Sequence, residues 1–166
     1  MDLFDGLQPS KLQVAENIYL LKAYALKSEK LLLADLDSVI SQAPLRHMMT
    51  KMGFAMSAAM TNCGALGWVS DHTGYRYDAK DPATNKPWPL MPASFQQLAA
   101  LAAAEAGFGD FQADSCLINQ YQVGASMGLH QDKNELDFTQ PIVSVSLGIP
   151  ATFQFGGLAR TDKTLK

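Results

Sequence analysis

Hydrophobic residues recur with helical spacing in two segments of the chain. In the first, Ser28 is a residue type that favours a helix N-terminus, apolar residues follow at three- and four-residue intervals, and Pro44 stops the pattern. In the second, Ser94 and Gln97 have the spacing of a capping box ahead of an alanine-rich run over 98–106. Each segment is therefore predicted to be a helix, and the many alanines indicate that the second one packs closely against a sheet.

Other segments show the short apolar or alternating runs that are typical of strands. Residues 45–91 are rich in Gly, Asn, Pro, Met and aromatic side chains, a composition that favours hairpins and loops. Helices and hairpins come first and an antiparallel β region follows, which predicts an α+β fold. Single strands are predicted over 14–21, 115–122, 142–147 and 152–155.

The composition indicates one domain and narrows the range of partners. A chain of 166 residues with 48% apolar residues has the size of a single globular domain. Thirteen Lys and Arg against sixteen Asp and Glu give a formal net charge of -3 and a pI near 5.5. This balance excludes a uniformly basic nucleic-acid coat, so a polyanionic partner would have to meet a local basic patch.

Three features predict a cytoplasmic protein without a membrane partner, which we also expect to be a monomer. The two cysteines, Cys63 and Cys116, are typical of reduced thiols rather than of a disulfide framework. The first five residues are acidic where a signal peptide would be basic. In addition, no apolar run approaches the roughly 18 residues of a membrane span.

The candidate metal chemistry centres on His130 and Asp132. The chain has only three histidines, and in an extended segment the side chains of His130 and Asp132 would lie on one face. An imidazole and a carboxylate can supply two ligands of the facial triad found in non-haem iron(II) oxygenases. A hydrogen-bonded structural pair is the alternative for such a short motif.

A second polar pair lies just upstream of this motif. Asn119 and Tyr121 alternate with apolar residues on the predicted strand over 115–122, so their side chains share a face. If buried, an amide and a phenol need partners, and a carboxylate-bearing cosubstrate beside the metal would satisfy both. Backbone groups of the sheet could satisfy them equally well.

Together, several motifs in one order resemble the bacterial AlkB family of iron(II)- and 2-oxoglutarate-dependent dioxygenases. That family repairs alkylated bases in DNA and RNA on a double-stranded β-helix, or jelly-roll, core. The resemblance runs from about residue 45 to residue 160. Its motifs are 61–68 (TNCGALGW), 74–77 (GYRY), 81–89 (DPATNKPWP), 116–121 (CLINQY), 129–133 (LHQDK), 141–148 (PIVSVSLG) and 153–157 (FQFGG).

The resemblance implies a role for each matching residue. It implies that His130 and Asp132 are catalytic iron ligands, with 2-oxoglutarate and dioxygen as cosubstrates, and that alkylated single- or double-stranded DNA, and also RNA, is the partner. It implies a division into an N-terminal extension with a packing helix (1–44), a nucleotide-recognition lid (45–91) and a helix with the first half of the jelly roll (92–166). The 2-oxoglutarate contacts would be Asn119 and Tyr121, and the substrate contacts would be Trp68, Met60, Tyr75, Tyr77, Asn134 and Arg160.

The residues themselves leave some of these roles open. From composition alone, Trp68 would be a partly buried core aromatic. The basic residues near the expected nucleic-acid surface could each be a phosphate ligand or a solvated surface charge. They are Arg46, Lys51, Arg76, Lys133 and Arg160.

Two departures from the family pattern shape our expectations. Asn134 stands where the family has an acidic residue, a difference that could shift the preferred alkylated base, although Glu135 follows it. No histidine follows His130, whereas the family places a third ligand and two arginines for 2-oxoglutarate farther downstream. We therefore expect a C-terminally truncated jelly roll whose activity alone is in question. A non-catalytic nucleic-acid-binding remnant and an unrelated zinc hydrolase are the alternatives.

Overall fold

The fold begins with a hairpin and a helix, and the helix packs on one face of a small sheet. The computed structural model describes residues 10–159 and 161–165. Strands β1 (Ser10–Ala15) and β2 (Ile18–Lys22) form an antiparallel hairpin, and a short 3-10 turn leads into helix α1 (Glu29–Gln42). The prediction of one strand over 14–21 was wrong, because Asn17 adopts a left-handed conformation with φ 59° and reverses the chain there.

Helix α1 ends as the sequence predicts. Leu32 and Val39, two turns apart, are its buried residues, and the helix stops two residues before Pro44. Ser28 stands at the N-cap position, but its side chain makes no capping hydrogen bond. The helix is therefore held by its buried stripe more than by its cap.

Two antiparallel sheets follow α1. Strands β3 (Arg46–Met49), β4 (Ala55–Gly64) and β7 (Ser115–Gln120) form the central sheet in the order β3-β4-β7. Strands β5 (Gly67–Asp71) and β6 (Gly74–Asp78) form a separate hairpin, so residues 45–91 contain the hairpins that were predicted.

Helix α2 (Ala93–Glu105) packs beside α1 before the chain enters β7. The predicted capping box does not form, since Pro92 occupies the N-cap position and the Ser94 hydroxyl donates to the Asp35 carboxylate of α1 instead. This hydrogen bond joins the two helices. The expected helix is thus present, with a different beginning.

The central sheet is covered on both faces. Val39, Cys63 and Met91 pack with Cys116 and Ile118 on the helix side. On the opposite face, Met48, Ala58 and Met60 pack with Met56, Trp68 and Leu117. This second face carries the candidate site.

A third apolar cluster fixes the β5–β6 hairpin from behind. It consists of Ala43, Val69 and Trp88, and the indole of Trp88 donates to the Asp78 carbonyl oxygen at 2.9 Å. Gly67 allows this packing, because a Cβ there would lie 2.4 Å from the Trp88 ring. The ring thus packs directly against the backbone of β5.

Residues 121–159 cross the surface without a regular strand. The predictions of strands over 142–147 and 152–155 were wrong within the described residues, where the second run makes only a single bridge between Phe155 and Leu165. The alternation of Val143 and Val145 with serines predicts a half-buried strand. A strand also needs backbone hydrogen bonds to a neighbouring strand, and residues 142–147 form none of the ladder type. No helix among the described residues is long and apolar enough to cross a membrane.

Candidate active site

The β5–β6 hairpin presents three aromatic side chains on one face. Trp68 lies directly opposite Tyr77, and Tyr75 is two residues away on the same face of β6. The rings of Trp68 and Tyr75 are stacked, with centroids 5.5 Å apart and planes inclined by 16°. Tyr75 is half exposed, so the stacked pair is open to solvent from one side and can offer a flat apolar platform.

Met60 forms the floor under this platform. It is completely buried and packs with Met48, Ala58 and Trp68. Met60 was expected to contact the substrate, but it is completely buried and supports the ring of Trp68 from within this cluster. Its thioether is adaptable and packs well against an aromatic ring.

A buried amide that the sequence analysis did not single out holds Trp68 in place. Asn62 is fully buried, its Oδ1 accepts the backbone N–H of Trp68 at 3.0 Å, and its Nδ2 donates to the Trp68 carbonyl oxygen at 2.9 Å. Both polar ends of the side chain are thereby satisfied. The sequence offered no signal for this role beyond an asparagine six residues before Trp68.

Two of the five basic residues considered as phosphate ligands form ion pairs with carboxylates. Arg46 donates to both oxygens of the buried Asp81 at 2.9 and 2.5 Å. Arg76 donates to both oxygens of Asp71 at 3.1 and 3.0 Å. The two alternatives considered for these arginines, a phosphate ligand and a solvated surface charge, did not include such bidentate pairs, which occupy the guanidinium forks.

The other three basic residues differ from this pair. Lys51 and Lys133 are exposed and make no ion pair among the described residues. Arg160, also predicted to contact the substrate, lies outside the described residues. Exposed lysines suit a local, salt-dependent contact with phosphates.

His130 and Asp132 converge as the sequence predicts, although no strand carries them. The distance from His130 Nε2 to Asp132 Oδ1 is 3.4 Å, and both side chains are about half exposed, at 53% and 49%. Two donors about 2.1 Å from a shared divalent ion and at a right angle to each other lie about 3 Å apart. The pair therefore fits two neighbouring ligands of one ion.

The backbone sets the tautomer of His130. Its Nδ1 lies 2.8 Å from the carbonyl oxygen of Gly128. Because a carbonyl oxygen can only accept, Nδ1 carries the proton, and in the neutral ring the Nε2 lone pair faces Asp132. A metal-bound imidazole commonly donates its other ring N–H to a backbone carbonyl, as His130 does here.

The described residues supply these two donors and no larger group. No set of three or more His, Cys, Asp and Glu side chains within 10–159 and 161–165 converges on one point. Imidazole and carboxylate suit iron(II), and an exposed pair leaves positions for further ligands. The donor set of His130 and Asp132 thus fits part of a non-haem iron site.

Asn119 and Tyr121 lie on the sheet face that carries the aromatic hairpin. Asn119 is directly opposite Met60, and the alternation along β7 places it with Leu117, which packs in the Met60 cluster. Asn119 and Tyr121 are exposed, so burial does not require a partner for either side chain, and their contact with 2-oxoglutarate stays a prediction. Among residues 10–159 and 161–165, the Tyr121 hydroxyl has a single hydrogen-bond partner, the Met127 sulfur at 4.0 Å, and the hydroxyl is therefore open to a ligand.

A hydrogen bond connects the aromatic hairpin to the segment that carries the metal donors. The Tyr77 hydroxyl donates to Glu135 Oε1 at 2.7 Å. Burial, the Glu135 bond and the nearby charge of Asp132 raise the pKa of Tyr77 above that of a free phenol, so it remains a donor. Asn134 precedes Glu135, and its exposed amide lies at the rim of this junction.

Comparisons with known proteins assign the chain to a family. A profile of the 2OG-Fe(II) oxygenase superfamily matches residues 17–166. The chain is 52% identical over 162 residues to the alpha-ketoglutarate-dependent dioxygenase AlkB of Escherichia coli, a match that covers 98% of this chain and 75% of the relative.

Two further relatives are more distant. The AlkB homolog of Caulobacter vibrioides is 46% identical over 123 residues, 74% of this chain and 54% of that protein. The human nucleic acid dioxygenase ALKBH1 is 35% identical over 97 residues, 58% of this chain and 25% of that protein. The chain is therefore a member of the 2OG-Fe(II) oxygenase superfamily, with its jelly-roll fold, and within it of the AlkB family of alpha-ketoglutarate-dependent dioxygenases.

Proposed function

We propose that the chain removes alkyl groups from the bases of DNA or RNA by iron(II)- and 2-oxoglutarate-dependent oxidation. The observation that carries this proposal is the junction between the aromatic hairpin and the metal-binding pair, made by Tyr77 and Glu135. It brings a surface for a planar, apolar group close to two iron-binding side chains. The names of relatives, a nucleic acid dioxygenase and a tRNA demethylase among them, support a nucleic-acid substrate.

On the substrate side, the aromatic hairpin belongs to a nucleotide-recognition lid over residues 45–91. A base extruded from its stack exposes two faces and is stabilised by an aromatic platform, which Trp68 offers with Met60 beneath it. Tyr75 and Tyr77 border the same face. Asn134 and Arg160 complete the proposed substrate contacts.

On the metal side, His130 and Asp132 would hold iron(II), and their facing atoms are Nε2 and Oδ1. Bound iron(II), with 2-oxoglutarate and dioxygen, supplies the oxidising chemistry that hydroxylates an N-alkyl group. The exposed amide of Asn119 and the phenol of Tyr121 bind 2-oxoglutarate, whose carboxylates accept hydrogen bonds from both. A methyl group hydroxylated in this way would leave the base as formaldehyde, and its nitrogen would regain a proton.

The direct test is turnover by the purified chain. The chain is loaded anaerobically with iron(II) and given 2-oxoglutarate, oxygen and an oligonucleotide that contains methylated adenine or cytosine. Formaldehyde and succinate should appear in equal amounts, and the His130→Ala variant should produce neither. Binding of the methylated oligonucleotide without any turnover would contradict the proposal and favour a non-catalytic binding protein.

We also propose that the protein acts in the cytoplasm as a monomer. Cys63 and Cys116 are free thiols even though they are directly opposite each other on β4 and β7, which suits a reducing compartment. Light scattering coupled to size-exclusion chromatography should give a mass near 18.0 kDa. A dimer mass would contradict the second part of this proposal.

A further inference from the structure

Arg76 makes an unusually complete set of contacts on the β5–β6 hairpin. Its Nη1 and Nη2 donate to the two oxygens of Asp71, Nη1 also donates to Thr73 Oγ1 at 2.8 Å, and Nε lies 3.4 Å from Asp78 Oδ2. The guanidinium therefore connects the end of β5, the turn and the end of β6. Four of its five N–H groups are used in these contacts.

These contacts lie on the face of the hairpin that points away from the aromatic platform. Arg76 is directly opposite Val69, and side chains alternate between the two faces along each strand. Val69, Arg76 and Asp78 thus share one face, whereas Trp68 and Tyr75 share the other. The contacts of Arg76 and the stacked rings therefore lie on opposite faces of one two-stranded hairpin.

The hairpin is also held by the Trp88 cluster and by the Asn62 hydrogen bonds to Trp68, but neither of these lies at the turn between its two strands. It is a two-stranded sheet of its own, and such a sheet is marginally stable without support. Its turn is closed by Asp71, whose Oδ1 accepts the backbone N–H of Thr73 at 2.8 Å and its hydroxyl at 2.6 Å. Asp71 thus serves both the turn and the ion pair with Arg76.

We propose that Arg76 is a positioning residue of the nucleotide-binding hairpin, which fixes the stacked geometry of Trp68 and Tyr75 by clamping Asp71 and Asp78 on the opposite face. This inference rests on the proposed function, because it assigns the stacked rings to a substrate base. It excludes a role for Arg76 as a phosphate ligand, since one free N–H cannot make the bidentate contact that guanidinium groups form with phosphates.

The test compares four variants of the full chain. Arg76→Leu removes the clamp, and Arg76→Lys keeps the charge without the fork. The double variant Asp71→Asn/Asp78→Asn removes the carboxylates and leaves the arginine. Lys86→Leu is the matched control for lost charge, because Lys86 is exposed and makes no ion pair among the described residues.

Two measurements are made on each variant. Near-UV circular dichroism reports the Trp68–Tyr75 stack without any ligand, and fluorescence anisotropy reports Kd for a methylated single-stranded oligonucleotide. Thermal unfolding confirms that each variant is folded. If Arg76→Leu does not fold, Arg76→Lys and the double Asn variant carry the test.

Arg76→Leu and the double Asn variant should both lose the stacking signal and weaken oligonucleotide binding by roughly fivefold, with Arg76→Lys between them and the wild type. The double variant is decisive, since removal of two negative charges favours binding to a polyanion unless the clamp is what matters. Tighter binding by the double variant with an unchanged stacking signal would overturn the proposal. If the wild type shows no preference for a methylated oligonucleotide, the proposed function fails, while the dichroism still decides whether Arg76 positions the rings.

Discussion

Tyr77 and Glu135, 58 positions apart in the sequence, are joined by a 2.7 Å hydrogen bond that runs from the recognition hairpin to the segment after the metal donors. Tyr77 lies in β6 and Glu135 lies in the irregular segment that follows β7. The bond therefore fixes the distance between the hairpin and that segment. A bond to a carboxylate is shorter and stronger than one between neutral groups. It is the only side-chain hydrogen bond between these two segments among the described residues.

Replacement of Tyr77 by phenylalanine tests this connection. Tyr77→Phe should leave the ring in place while it releases Glu135, so KM for a methylated oligonucleotide should rise several-fold and the melting temperature should change little, because one partly exposed hydrogen bond contributes about 1 kcal/mol. Hydrogen exchange should become faster over residues 130–137. Tyr24→Phe, remote from the site, is the control and should behave as the wild type.

The metal donors can be tested separately from turnover. His130→Ala and Asp132→Asn should each weaken iron(II) binding at least tenfold in an anaerobic titration, because even an outer-shell partner of a metal ligand contributes about 10- to 100-fold. His72→Ala, a change of an exposed histidine in the hairpin turn, is the matched control. Equal iron affinity in all three variants would show that the His130–Asp132 pair is structural.

Asn134 offers a test of base preference. If the exposed position beside Glu135 reads the exocyclic amine or the positive charge of a methylated base, Asn134→Asp should change the ratio of turnover on methylated adenine and methylated cytosine oligonucleotides, because a carboxylate accepts more strongly than an amide and carries charge. Competition between the two substrates in one reaction measures this ratio directly. An unchanged ratio would remove Asn134 from the recognition surface.

Met60 is buried and Met52 is exposed, so their replacement by alanine should change the free energy of unfolding by different amounts. Met60→Ala should lower the free energy of unfolding by about 2–5 kcal/mol, because the side chain is fully buried beneath Trp68. Met52→Ala, at a residue that is 82% exposed, should change it by no more than about 0.5 kcal/mol. Urea denaturation of both variants checks the difference, and a small effect at Met60 would mean that the core refills the space.

The ion pair with Arg76 should keep the Asp71 carboxylate ionised to a lower pH than a free aspartate. Hydrogen bonds from Arg76 and Thr73 lower the pKa of Asp71 below its usual value of 3.8. A lowered folded-state pKa means that this contribution to stability is complete above about pH 4 and is lost as the pH falls toward the folded-state pKa. Carbon-13 NMR of the Asp71 carboxyl should show no titration between pH 7 and 4, whereas Arg76→Leu should move its midpoint upward.

The parts of the fold that the sequence predicts are those determined locally. Leu32 and Val39 at two-turn spacing and the stop at Pro44 are sufficient to define α1. The alternation around Leu117 and Asn119 correctly separates the two faces of β7. Convergence of His130 and Asp132 also follows from short spacing, even though the segment is irregular.

The parts that sequence reasoning missed depend on distant partners. Nothing near Ser94 indicates that its hydroxyl donates to Asp35 on another helix rather than capping its own. Likewise, Arg46 has the sequence signature of a surface cation, and only the fold brings it to the buried Asp81. Charge patterns therefore indicate where ions lie but not which ones are already paired.

Asn62 shows how little backbone is needed to join two sheets. Its side-chain amide has a donor and an acceptor, as a peptide group does, and it binds both the backbone N–H and the backbone carbonyl of Trp68. These two bonds join β5 to β4, although the two strands belong to different sheets. One side chain thus replaces a stretch of strand pairing. A substitution at position 62 would remove both of these hydrogen bonds to Trp68 while every residue of the aromatic hairpin stays the same.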